Sequence, residues 1–321
     1  MNRKNAPYAF MIAGTAFIWG MCFVAQRSGM DFVGPFLFNG FRELLGSATL
    51  LVILAFMTVY HAKKGKEIKE NSDADKPVMV LPGRHRLIFI GGAFCGLLLY
   101  VASNAQQVAM VTTSAGKAAF ITALYIVLVP IIGIALKHKT YWNTWVSVTI
   151  AVIGLYLLCV NESFGIDIGD IVLIGSALFW ALHILAVDHY VAKLRQREVI
   201  GLCAMQFFVA GLISLLSAPI LDPFFVTFGF SWAGIVKVLP EILYAGVLST
   251  GVAFTLAAIG QKHIRPSAAS IIMSLEAPFG LLGGVALLGE ALSFKEVIGC
   301  AMMFIAVLLA QLKLRSKPKD P

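Results

Sequence analysis

Residues 8–26 read YAFMIAGTAFIWGMCFVAQ, a stretch of nineteen residues that contains no Lys, Arg, Asp or Glu. A helix of about 20 apolar residues crosses the roughly 30 Å hydrocarbon core of a bilayer. Nine further stretches are also predominantly apolar and of similar length, so the sequence predicts ten membrane spans. They lie at approximately residues 8–26, 35–60, 87–109, 114–136, 142–160, 168–190, 199–220, 239–260, 266–288 and 294–312.

The composition excludes a soluble globular protein. Hydrophobic residues make up 59% of the chain and charged residues 13%, against about 45–50% and about 25% in soluble domains. A chain of 321 residues cannot bury that much apolar surface in one core, so lipid must cover the rest. Because a backbone in lipid must satisfy its own hydrogen bonds, the spans are predicted to be helices. The predicted fold class is an all-α integral membrane protein, with membrane lipid as a partner.

The positive charges lie in the loops and tails. The formal net charge is +8, and with the N-terminus inside, 20 of the 25 Lys and Arg residues fall on the inner side and three on the outer side. Positively charged loops stay on the cytoplasmic side of a membrane. We therefore expect both termini, the basic tail at residues 314–321 and a flexible, exposed loop at residues 61–86 to be cytoplasmic. The same distribution argues against nucleic acid as a partner.

The two halves of the chain resemble each other. GTAFIW at residues 14–19 matches GSALFW at residues 175–180, and Ser114-Ala115 matches Ser267-Ala268 at an offset of 153 residues. Matches at corresponding depths in two sets of spans indicate an internal repeat.

We predict one five-helix repeat at residues 1–160 and a second at residues 161–313. The offset of 153 places Tyr125 opposite Pro278. Five crossings are an odd number, so the second copy enters the membrane upside down. Such inverted repeats are common in transporters, where they give the fold two nearly equivalent packings.

The sequence offers little support for an enzyme. A helical HExxH, a Gly-Lys-Ser/Thr phosphate loop and a G-x-S-x-G elbow are all absent from it. His183 and Asp188 have the H-x4-D spacing of some membrane acyltransferases, but residues five apart on a helix point about 140° away from each other. The five cysteines show no metal-ligand spacing. Neither a cofactor nor a metal is predicted.

Several short motifs follow one another along the whole chain. They are Trp19 with AQR at residues 25–27, FNGFR at 38–42, TSAGKAAFIT at 113–122 leading to Pro130, SLEAP at 274–278 and LGE at 288–290. Their order and spacing resemble the EamA-type family of the drug/metabolite transporter superfamily. That family has proline directly after the glutamate of span 9. Here Ala277 intervenes, so a kink at that place is expected to be shifted or lost.

The resemblance implies a ten-helix carrier of amino acids, sugars, nucleobases, amines or similar metabolites. It leaves open which of these is the substrate. Glu43, an ionisable residue beside the arginine of FNGFR, is not part of the family pattern.

Four charged residues lie well inside the predicted spans, namely Arg42, Glu43, Lys117 and Glu276. A charge at membrane depth costs a few kcal/mol unless it meets a partner or water. These groups could bind a polar substrate or exchange a proton in a solvated cavity. They could instead form two buried ion pairs that only fix the helix register. For Lys117, near the outer end of its span, the side chain can also reach water.

Seven further residues are candidates because of their motif position, their repeat partner or their place on a helical stripe. They are Trp19, Asn39, Asn104, Tyr125, Trp180, His183 and Gln206. Tyr100, Asn104 and Gln107 share one face of span 3, which we expect to line a cavity. Trp19 and Trp180 occupy corresponding positions in the two copies and should flank one central volume. Ordinary packing or an interfacial belt is the alternative for any single aromatic residue.

These observations predict a secondary active transporter that moves a small metabolite across the cell membrane by alternating access. Spans 1–4 and 6–9 would surround its cavity, with spans 5 and 10 at the periphery. A coupling proton or ion and a second copy of the chain stay open as partners. The alternative is a multi-pass membrane enzyme or a lipid-handling protein.

Overall fold

The structure is a computed structural model that describes residues 6–69, 84–113, 115–138, 140–159, 167–227, 230–288 and 293–310. Within these ranges the regular elements are helical and no strand occurs, which confirms the predicted all-α class. This agrees with a lipid environment, because a single segment satisfies its backbone hydrogen bonds internally only as a helix.

The described ranges contain fourteen α-helices, a 3-10 turn at Asp222–Phe224 and a π-helical segment at Tyr244–Ala253. In chain order the α-helices are α1 (Ala6–Gly29), α2 (Pro35–Lys69), α3 (Arg84–Ala109), α4 (Ala115–Thr122), α5 (Tyr125–Ala135), α6 (Trp142–Cys159), α7 (Ile168–Val191), α8 (Gln196–Leu221), α9 (Trp232–Lys237), α10 (Leu239–Leu243), α11 (Phe254–Gln261), α12 (Pro266–Met273), α13 (Glu276–Leu288) and α14 (Phe294–Ala310).

Seven helical stretches within the described residues are long and apolar enough to cross a membrane. They are Ala6–Gly29, Pro35–Tyr60, His85–Ala109, Ala118–Ala135, Ile168–Val191, Gln196–Phe224 and Leu239–Gln261. Shorter apolar helices occupy Trp142–Leu158 and Pro266–Leu282, and α14 has 17 residues. The count of ten membrane spans therefore stays a prediction.

The helix of span 2 is longer than predicted. α2 continues to Lys69, well past the predicted end of the span at residue 60. Lys and Glu are good helix formers, so an existing helix extends through HAKKGKEIK at little cost. The rest of the predicted loop up to residue 83 and the predicted tail at residues 314–321 lie outside the described ranges.

Two predicted spans are interrupted at corresponding places. α4 and α12 each have eight residues, and a two-residue break follows each of them, at 123–124 and 274–275. α5 then begins at Tyr125 and α13 at Glu276. The helix boundaries thus give an offset of 151 residues where the sequence motifs suggested 153, and Tyr125 corresponds to Glu276.

The kink expected near Pro278 is shifted to the break before Glu276. Pro278 itself falls in the first turn of α13. A proline is tolerated there because the first N–H groups of a helix have no partner within the helix.

Glycines bring helices into backbone contact. A Cβ atom on Gly20 of α1 would lie 2.5 Å from the carbonyl oxygen of Glu276 and 2.6 Å from the nitrogen of Gly280, both in α13. In α3, a Cβ atom on Gly96 would lie 2.7 Å from the carbonyl oxygen of Gln206 in α8. Close packing of small residues is a main source of helix association in lipid.

α6 and α14 contact each other through a pair of glycines. A Cβ atom on Gly154 would lie 2.9 Å from the Gly299 carbonyl oxygen, and a Cβ atom on Gly299 would lie 2.7 Å from the Gly154 carbonyl oxygen.

The N-terminus of α2 is held by a side-chain cap. The Asp222 carboxylate accepts hydrogen bonds from the backbone N–H groups of Phe36 at 2.9 Å and Leu37 at 3.1 Å. This cap joins the end of α8 to the N-terminus of α2, where a negative charge is favoured.

Candidate functional site

A cavity lies between the two halves and encloses about 700 Å³ when the space open to solvent is counted. Its walls come from α1–α5, α7, α8, the π-helical segment and α11–α13, and no described residue of α6 or α14 lines it. This agrees with the predicted positions of spans 5 and 10 outside the cavity.

Seven of the predicted site residues line this cavity. They are Trp19, Arg42, Tyr125, Trp180, His183, Gln206 and Glu276. The backbone of Lys117 belongs to α4, but its side chain lies outside the described part of the structure. The binding or coupling roles of these residues stay predictions.

Asn39, Glu43 and Asn104 lie in a second polar cluster, between α2, α3 and α8. Asn39 Nδ2 donates a hydrogen bond to Asn104 Oδ1 at 3.1 Å, and Asn104 Nδ2 donates to Ser214 Oγ at 2.7 Å. Glu43 Oε1 accepts a hydrogen bond from Ser103 Oγ at 2.8 Å. Adjacent residues on a helix point about 100° apart, so Glu43 faces α3 although its neighbour in sequence lines the cavity.

Span 3 lines the central cavity with a residue other than the three expected from the sequence. Tyr100 and Asn104 bond to serine side chains of α8, and Gln107 donates to a backbone carbonyl of α1. Gln106 lines the cavity and accepts a hydrogen bond from Trp180 Nε1 at 2.8 Å. Helical spacing identifies a buried face, but it does not tell whether a neighbouring helix or a cavity covers that face.

The paired tryptophans contact one common ring, Phe254. The ring centroids of Trp19 and Phe254 are 4.5 Å apart with an interplanar angle of 58°. Those of Trp180 and Phe254 are 5.9 Å apart, and these rings are stacked at 25°. Trp19 Nε1 donates to the carbonyl oxygen of Ser249 at 3.4 Å. The three rings form an aromatic wall, which is the name used below for Trp19, Phe254 and Trp180.

Sequence reasoning missed Phe254, which begins α11 directly after the π-helical segment. It has no charge, no family motif and no repeat partner. Its available signal is a helical stripe, because Phe254, Ala258 and Gln261 are spaced i, i+4 and i+7 and all line the cavity.

Five buried polar atoms of cavity residues have no hydrogen-bond partner among the described residues. They are Gln26 Oε1, Arg42 Nε, Thr122 Oγ1, Gln206 Nε2 and Gln261 Oε1. Leaving such a group unsatisfied costs about 1–3 kcal/mol. The set includes donors and acceptors, so a polar solute in the cavity could satisfy them.

Arg42 and Glu276 are buried at 4% and 6% exposure. Among the described side chains, no carboxylate lies within ion-pairing distance of Arg42. Glu276 Oε1 accepts a hydrogen bond from Tyr125 Oη at 3.2 Å, and His183 Nε2 lies 3.0 Å from Gln206 Oε1. The alternative of an internal ion pair is therefore not realised for Arg42 in the described part of the chain.

A sequence model of the EamA-like transporter family matches residues 6–160 and 167–312. The chain belongs to the EamA-like transporter family. The two matches give this EamA-like protein two family repeats, and its several apolar helices make it a multi-pass membrane protein.

Relatives of this EamA-like protein are described as transporters. It is 28% identical over 304 residues to an uncharacterized transporter of Archaeoglobus fulgidus, covering 94% of this chain and 85% of the relative. It is 24% identical over 313 residues to the uncharacterized transporter YwfM of Bacillus subtilis, covering 95% and 94%. A solved crystal structure matches with a TM-score of 0.66 at 18% identity, over 94% of this chain and 96% of the other. That likeness supports the fold alone.

Proposed function

We propose that this EamA-like protein is a secondary active transporter that carries a small amphipathic metabolite by alternating access. The central cavity is the observation that carries the proposal. Both halves of the chain line it, and it combines aromatic rings with unpartnered polar atoms. The family match and the transporter relatives support the same function.

In this proposal the ten predicted spans form two inverted repeats in the cell membrane, with both termini in the cytoplasm. The matching breaks before Tyr125 and Glu276 support the repeat, and the unequal distribution of Lys and Arg supports the orientation. Broken helices at the midplane are a common place for substrate sites in transporters with inverted repeats. The sequence has no nucleotide-binding motif, so a solute or ion gradient would drive transport.

Arg42 and Glu276 are proposed to act on the solute from the cavity wall. Arg42 would orient an anionic group, because a guanidinium binds a carboxylate with two parallel hydrogen bonds. Glu276 would face a cationic group or exchange a coupling proton, and Glu43 is a second candidate for the proton. Lys117, Asn39 and Asn104 stay candidates for supporting roles.

Counterflow in proteoliposomes tests the proposal. Vesicles containing the purified protein are loaded with one unlabelled pool at a time, namely amino acids, amines, sugars, nucleobases or organic acids. Uptake of labelled members of the same pool from outside is then measured. Trp19→Ala should lose uptake because it removes part of the aromatic wall. Trp142→Ala is the matched control, since Trp142 is 64% exposed and does not line the cavity.

Melting temperatures of both variants separate lost binding from lost folding. Uptake no faster than in protein-free vesicles for every pool would contradict transport. Appearance of a chemically new product would favour the membrane enzyme.

A further inference from the structure

The charge of Arg42 is the starting point. A guanidinium keeps its positive charge in proteins, and burying a charge without a partner is unfavourable. Arg42 Nε has no hydrogen-bond partner among the described residues. Glu43 attracts Arg42 electrostatically but forms no ion pair with it, because the Glu43 carboxylate bonds to Ser103 in α3. The Cys22 thiol is another polar neighbour of Arg42. Arg42 thus lines the cavity with a guanidinium that has no ion pair among the described residues, and the carboxylate of an anionic solute would supply one.

Glu276 does not require a cationic group on the solute. A carboxyl group can be neutralised by a proton, whereas a guanidinium cannot. The Tyr125 hydroxyl already donates a hydrogen bond to Glu276 Oε1 at 3.2 Å. A solute that carries a negative group and no positive group can therefore bind beside both Arg42 and Glu276.

The aromatic wall indicates the body of the solute. The neighbouring rings of Trp19, Phe254 and Trp180 line the cavity, with centroid separations of 4.5 Å and 5.9 Å. A solute ring that packs against these rings gains attraction beyond that of its buried area. Ile184 and Ala257 supply further apolar surface. These walls suit a flat apolar ring.

We propose, building on the transport function above, that the cavity binds an aromatic monocarboxylate and requires no ammonium group on it. The carboxylate lies on Arg42, and the ring lies against the aromatic wall. The solute is thus an anion and not a zwitterion or an amine.

Three probes with one common phenylethyl body test the charge class. They are 3-phenylpropanoate, phenylalanine and phenethylamine, which carry a carboxylate, both groups and an ammonium. Calorimetric titration of the purified wild-type protein should show binding of 3-phenylpropanoate at least as tight as that of phenylalanine, and none of phenethylamine. A fourth probe, 3-cyclohexylpropanoate, should bind more weakly because its ring is not aromatic.

Variants assign the carboxylate to Arg42. Arg42→Gln should weaken binding of 3-phenylpropanoate by about tenfold or more, since a hydrogen bond to a charged group is worth about 1.5–3 kcal/mol. Arg27→Gln is the control, because Arg27 is exposed and pairs with Asp31 at 3.2 Å. If Arg42→Gln does not fold, the wild-type comparison of probes still decides the charge class.

Tighter binding of phenylalanine or phenethylamine would overturn the inference, as would an unchanged affinity of Arg42→Gln for 3-phenylpropanoate. Failure of all the probes to bind would overturn it as well. Counterflow of another pool would then show that transport stands although the proposed solute class is wrong.

Discussion

Replacing Gly20 with alanine tests whether α1 and α13 meet backbone to backbone. The new Cβ atom would lie 2.5 Å from the Glu276 carbonyl oxygen, and real Cβ atoms essentially never approach another heavy atom within 3.0 Å. The obstructing atoms belong to the backbone, so the two helices must separate by about 0.5 Å or more. Overpacking costs about 1–3 kcal/mol, and alanine recovers only about 0.5–1 kcal/mol of helix propensity. The net expectation is a loss of stability.

Gly14→Ala in the same helix is the matched control, because no atom lies within 4 Å of its Cβ position. It should leave the free energy of unfolding unchanged or raise it by up to about 1 kcal/mol. Both variants are compared with the wild type by SDS titration in mixed micelles. Equal stability of Gly20→Ala and Gly14→Ala would refute the close contact between the helices.

Three further outcomes are expected. Asp222→Ala should lower the free energy of unfolding by about 0.5–2 kcal/mol because it removes the cap of α2, whereas loss of the exposed ion pair in Asp31→Ala should cost under about 1 kcal/mol; equal losses in the same titration would argue against the cap. Tyr125→Phe should destabilise by about 0.5–1.5 kcal/mol through loss of the bond to Glu276, and an unchanged unfolding curve would count against that bond. A cysteine at residue 70 should react with an impermeant maleimide only in inside-out vesicles. Labelling in intact cells would show that residue 70 faces the outside and would contradict the predicted orientation.

The all-α class follows from the sequence because it depends on local composition, and the family follows from the order and spacing of short motifs along the chain. A stretch such as residues 8–26 must be helical in lipid wherever its neighbours lie. Helix interruptions are different, since a break such as that at 274–275 depends on what packs beside it. Hydropathy also does not predict that α2 extends to Lys69, because the helix continues beyond its apolar part.

For the cavity, the sequence indicates residues that are unusual at membrane depth. Arg42 and Glu276 stand out as charges, and Trp19 and Trp180 stand out as a repeated pair. Phe254 is one of 23 phenylalanines, so only its contacts distinguish it. The same limit explains why Gln106 and not Gln107 lines the cavity, since that choice depends on the rotation of α3 among its neighbours.

The bond between Tyr125 and Glu276 joins the two family repeats. These residues are the first of α5 and α13, so they occupy corresponding places in the two copies. A phenol in one repeat bonds to a carboxyl group in the other, so the two repeats are chemically unlike at this place. A chain cut between them would need both fragments, one of each kind, to rebuild the bond.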